Sequence, residues 1–106
     1  MADLDPLIRV RKHVIDQKQK FLAELYRQAE EMDNQKNTML DQLDIEQEKV
    51  KEMGVEMLSY FGPYTKAVKE RVSDIDEALV TLDTRIEIAR DDLREAFAEW
   101  KKIEIT

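Results

Sequence analysis

Cysteine is absent from the sequence, so neither a disulfide framework nor thiol chemistry is open to the chain, which fits a reducing compartment. Histidine occurs once. His13 with Asp16 and Gln17 has the i, i+3 and i+4 spacing of half a metal site on a helix, but no second histidine or cysteine exists to complete it, and it reads as an exposed, unliganded side chain. Ser59 and Ser73 have no neighbouring base, so nucleophilic catalysis lacks its parts. There is no glycine-rich phosphate loop. No apolar run approaches the roughly 18 residues of a membrane span. The opening Met1-Ala2-Asp3-Leu4-Asp5-Pro6 lacks the pattern of a signal peptide. These absences point to a soluble, cytoplasmic protein that is not an enzyme and holds no cofactor or metal. A net charge of −7 also argues against nucleic-acid binding, which normally needs a basic face.

Glycine and proline are almost as scarce, two of each, while 39% of the 106 residues are charged. That composition favours long solvated helices over a broad core. The charge is uneven. Residues 6–20 hold Arg9, Arg11, Lys12, Lys18 and Lys20 against Asp16, a net of +4, so the other 91 residues sum to −11. The carboxylates Glu30, Glu31, Asp41, Asp44, Glu46 and Glu48 read as a solvated helix face, since no pocket-forming residues accompany them.

Apolar residues recur at alternating steps of three and four, the signature of a coiled coil. The first series runs Leu4, Ile8, Arg11, Ile15, Lys18, Leu22, Leu25, Ala29, Met32, Lys36, Met39, Leu43, Glu46, Val50, Met53, Met57, Tyr60, with thirteen of seventeen positions apolar. The second, from Val68 through Val72, Ile75, Leu79, Leu82, Ile86, Ala89, Leu93, Ala96 and Trp100 to Ile103, is apolar throughout and runs one residue out of phase with the first. The methionines of the first seam read as core filling in preference to an adaptable binding stripe, and Trp100 as packing.

The two series imply an all-α antiparallel two-helix coiled-coil hairpin occupying residues 1–106 as one domain. Asp5 is placed as an N-cap and Pro6 in the first helical turn. Gly62-Pro63 is the one place where two helix breakers adjoin. Proline costs roughly 3 kcal/mol inside a helix and disfavours helical geometry in the residue before it. Helix 1 is therefore expected over about 6–58, the turn within about 54–63 with Gly54 the earliest bend, and helix 2 over about 63–104. Arms of such unequal length leave about the first twelve residues of helix 1 overhanging at 1.5 Å per residue. Leu4, Leu7, Ile8, Val10, Val14, Ile15 and Phe21 there cover more than one seam, so a partner or a further segment is expected to cover them. Tyr60, Phe61 and Tyr64 near the turn are open to two readings, local packing or partner contact.

Three stretches together resemble the flagellar FliJ family, the coiled-coil component of the flagellar type III protein export apparatus. They are Leu7-Ile8-Arg9-Val10-Arg11-Lys12 with Asp16 and Lys18 after it, Tyr60-Phe61-Gly62-Pro63-Tyr64-Thr65-Lys66-Ala67, and Leu93-Arg94-Glu95-Ala96-Phe97-Ala98-Glu99-Trp100-Lys101-Lys102-Ile103-Glu104. The resemblance implies an antiparallel hairpin similar to the stalk of rotary ATPases, working at the flagellar base on the cytoplasmic side of the inner membrane and touching the membrane only through partners. It implies that the helix ends enter the hexameric ring of the export ATPase, through Leu7, Ile8, Arg9, Arg11 and Lys12. It implies that the part near the turn meets the export gate protein through Tyr64 and Val68, and that export chaperones bind as well. The chain departs from the family in carrying Ile45 and Lys49 where helix 1 is expected to show aromatics, in lacking a long C-terminal tail, which reads as a short homologue or a trimmed chain, and in its acidity. Two other classes fit the pattern: a helical-hairpin chaperone or cofactor holding client proteins, and a structural dimerising coiled coil.

Overall fold

A computed structural model describes residues 4–105. Helix α1 spans Asp5–Met53, a 3-10 turn spans Val55–Met57, and helix α2 spans Leu58–Ile105. No strand occurs among the described residues. The chain is an antiparallel helical hairpin built of two compact units, each containing a piece of both helices. The terminal unit comprises residues 1–28 and 82–106, and the turn unit residues 29–81.

α1 starts where its first backbone bond closes, from the Ile8 N–H to the Leu4 carbonyl at 2.9 Å. Asp5 thus lies inside the first turn, not ahead of it, where its carboxylate faces the positive end of the helix dipole. The first seam holds without exception from Leu4 to Val50: every position is buried or half-buried, the polar Arg11, Lys18, Lys36 and Glu46 included. Beyond Val50 it stops, and residues 51–60 are all exposed, so Met53, Met57 and Tyr60 do not belong to it. The second seam is likewise buried or half-buried from Val68 to Ile103 and extends backwards through Thr65 to Phe61.

The bend falls at the first residue of the expected turn, and helix α2 starts at Leu58, ahead of the expected start at about residue 63. The chain bends at Gly54 and not at Gly62-Pro63, which lies inside α2. Gly54 has φ of 94° and ψ of −179°, a region essentially restricted to glycine. Its N–H still closes the last turn of α1 on the Val50 carbonyl at 3.3 Å, and its own carbonyl accepts the Met57 N–H at 3.4 Å. Three residues of 3-10 helix complete the reversal. Pro63 is tolerated for two reasons. It falls early in α2, so its missing N–H deprives only the Ser59 carbonyl of a partner. The residue before it is glycine, and the clash of the proline ring with a preceding Cβ does not arise.

Moving the bend removes the overhang. α1 has 49 residues and α2 has 48. Within the terminal unit residues 5–28 lie against 82–105, with Ile15, Leu25, Leu82, Ile86 and Ala89 buried between them. Leu4, Ile8 and Ile15 therefore have intramolecular cover.

Candidate functional site

The residues that carried the expected ATPase contact divide between two faces of α1. Ile8 and Arg11 are half-buried seam positions, while Leu7, Arg9 and Lys12 are exposed. The Lys12 ammonium sits 5.5 Å from the centre of the Trp100 ring on α2, and the Lys101 ammonium 5.6 Å from it, so one indole is flanked by two cations. Trp100 is half-buried, and its Nε1 is buried with no hydrogen-bond partner among the described residues. Beside it Lys12, Ile15, Asp16, Gln19, Phe97 and Trp100 line an open cleft of about 260 Å³. Phe97 and Trp100 were absent from the contact set read from the motif. The i+3 spacing of Phe97 and Trp100 and the lysine after Trp100 were the available signals.

The basic cluster is unneutralised. Arg9, Arg11, Lys18 and Lys20 make no ion pair among the described residues. Some cations elsewhere are paired, Arg27 with Glu24 at 2.7 Å, Lys51 with Glu48 at 3.2 Å and Arg94 with Asp91 at 3.4 Å, but what sets residues 9–20 apart is the density of positive charge, five cations against Asp16. Hydrogen bonds from Arg27 and then Gln28 hold the Glu24 carboxyl down at about 2, from an ordinary value of 4.5. These are surface pairs within a helix, each worth little to stability.

In the turn unit, Lys36 reaches from the α1 seam to Asp76 on α2 at 2.6 Å, and this hydrogen bond raises the lysine pKa. Val68, expected at a docking surface, is buried in the seam, whereas Tyr64 is partly exposed and its ring lies 6.1 Å from that of Phe61. Val68 already stood in the second apolar series, so its burial was legible. Val50, Met57, Tyr60, Phe61, Tyr64 and the Glu46 carboxylate line a cleft of about 250 Å³. Met53, Val55, Met57, Leu58 and Tyr60 are exposed, Val55 to 81% and Tyr60 to 74%. Ile45 and Lys49 are exposed on α1.

Among the described residues no group of three or more histidines, cysteines or carboxylates is placed to hold a metal. His13 is exposed. No described helix is long and apolar enough to cross a membrane. No protein-family model, curated protein or solved structure matches the chain. The site thus stands on its own geometry: an unpaired basic face on α1 with exposed apolar side chains beside it, backed by a cation-flanked tryptophan.

Proposed function

We propose that the chain is a non-enzymatic coiled-coil component of the flagellar type III export apparatus, acting as the stalk of the export ATPase ring and contacting the export gate and export chaperones. The three-stretch resemblance suggests this role, and the antiparallel hairpin is compatible with it. The observation that carries it is the cluster of cations without ion-pair partners on the first part of α1, on a chain that is otherwise acidic. Unpaired cations at a protein surface speed encounter with an acidic partner and fix its orientation, while apolar contacts hold the complex.

Leu7, Arg9 and Lys12 are the available contacts for the ring, because Ile8 and Arg11 are engaged in the seam. Tyr64 is available to the gate protein, whereas Val68 is taken up by the seam. The role places the protein at the cytoplasmic face of the inner membrane, held there through partners, with neither a metal nor a cofactor of its own.

The test is binding of the full chain to purified flagellar export ATPase at two salt concentrations. Arg9→Glu with Lys20→Glu weakens binding about tenfold at low salt, and the difference shrinks at high salt as the charges are screened. A parent chain that does not bind the ATPase, or a double variant that binds as the parent does, contradicts the reading.

A second reading has its own observation. The run of exposed residues at 51–60, with five large apolar side chains, suits a hairpin that holds client proteins. It predicts capture of unfolded polypeptide that Val55→Ser with Tyr60→Ser abolishes.

A further inference from the structure

α1 carries a second apolar line in the terminal unit. Leu7, Val10, Val14 and Phe21 follow the three-and-four spacing of a coiled coil, with Gln17 at the one polar step. At 100° per residue this line lies about 100° round the helix from the seam. Leu7, Val10 and Phe21 are exposed to 42%, 58% and 52%, and Val14 is half-buried. The seam needs none of them. Val10 and Phe21 keep about half their surface in water although the seam positions around them are covered.

Two further features bear on what covers this line. Phe21 and Lys18 form one wall of a groove of about 270 Å³ whose other wall is Ala89 and Asp92 of α2. A small residue at Ala89 leaves room for a side chain to enter from outside. Lys20 stands on the free edge of the line and Lys18 on its seam edge, neither with an ion pair among the described residues. A helix that presents its own apolar line to such a surface gains most when carboxylates flank it on those edges.

We infer that the Leu7–Phe21 face of α1 receives a third helix, supplied by a partner protein, that is amphipathic with acidic flanks. The inference rests on the reading of the terminal unit as the ATPase-binding part and names the class of segment it takes. An anionic membrane would also attract arginine and lysine beside apolar side chains. The groove of about 270 Å³ beside Phe21 suits a side chain entering from a helix better than a flat lipid surface. A second copy of the chain is disfavoured too, because its own Leu7–Phe21 face would bring Lys18 and Lys20 against like charges.

The test titrates isotope-labelled full chain with two synthetic amphipathic helices, each about four heptads long with identical apolar positions, one flanked by glutamate and one by lysine. The glutamate-flanked peptide is expected to shift the backbone resonances of residues 7–21 and to bind at least about tenfold more tightly than the lysine-flanked one. Val10→Ser with Phe21→Ser should weaken it by about thirtyfold without loss of helicity, because both side chains are solvent-exposed. Equal affinity for the two peptides, or no shift at residues 7–21, overturns the inference. So does self-association that Val10→Ser with Phe21→Ser abolishes, which would make a second copy the occupant. Tighter binding to phosphatidylglycerol vesicles than to the acidic peptide would make it a lipid surface. A chain that binds the acidic peptide but not the export ATPase refutes the stalk reading and keeps the third helix. A chain whose ATPase binding is untouched by Val10→Ser with Phe21→Ser does the reverse.

Discussion

The two units of the hairpin share a helical pairing and differ in almost everything else. The terminal unit is electrically neutral by sequence, with eleven basic and eleven acidic side chains, whereas the turn unit has six against thirteen and carries the whole net charge of −7. The terminal unit buries Ile15, Leu25, Leu82, Ile86 and Ala89, and Leu25 is only 1% exposed. The turn unit buries Leu43, Val50 and Val68, and each unit admits two charged side chains to its seam, Arg11 and Lys18 in the terminal unit and Lys36 and Glu46 in the turn unit. Gly54, Gly62 and Pro63 all fall in the turn unit. The difference teaches that one repeat pattern can serve two purposes. Where more of its apolar positions are buried the seam anchors the pairing. Where fewer are buried, on either side of the bend at Gly54, it carries the chain through its reversal.

Core truncations give the largest effect. Leu25→Ala should cost about 3–5 kcal/mol and Leu43→Ala nearer about 2 kcal/mol, because the better-sealed site leaves the larger cavity. Denaturant titration followed by helical circular dichroism measures both. Equal losses would break the contrast between an anchoring and a guiding seam.

Backbone substitutions at the turn come next, with opposite signs. Gly54→Ala should destabilise by about 1–3 kcal/mol through its positive φ alone, since a Cβ there meets nothing within 4 Å. Pro63→Ala should stabilise, by up to about 3 kcal/mol, by restoring an N–H to a helix that already runs through it. If Pro63→Ala destabilises instead and Gly54→Ala is neutral, the bend is at Gly62-Pro63 after all.

Titration gives the smallest effects. Glu24 is held below its ordinary value in the folded chain, so its contribution is full above about pH 4.5 and is lost as pH falls towards about 2. Lys36 is raised by Asp76, so its contribution is full below pH 10.5 and is lost as pH rises through the elevated value. Glu24→Gln should therefore flatten the acid limb of the melting temperature slightly, and Lys36→Met the alkaline limb. Both shifts should be small, because both groups are solvent-accessible.

Much of this architecture can be read from spacing. The two seams follow from the positions of leucine, isoleucine and valine, and the half-burial of Arg11 and Lys18 follows from their place in the same series, since long basic side chains can extend out of a seam. The place of the bend cannot be read in the same way. Gly62-Pro63 is the stronger break by propensity, yet it is the glycine that makes the proline admissible. Gly54 turns the chain because of a backbone angle that composition does not report. That error lengthened one arm in the reading, created an overhang, and hid the distinction between Ile8, which is covered, and Leu7 and Val10, which are not. The candidate site was legible as a charge cluster. Its pairing with Trp100 was not, because that depends on the register between the helices.

The most direct test of the account is hydrogen exchange of the full chain with and without export ATPase. Slowed exchange is predicted within residues 7–21 of α1, and none at residues 51–60. Slowing confined to residues 51–64, with residues 7–21 unchanged, would contradict the assignment of the neutral terminal unit as the surface that meets the ATPase.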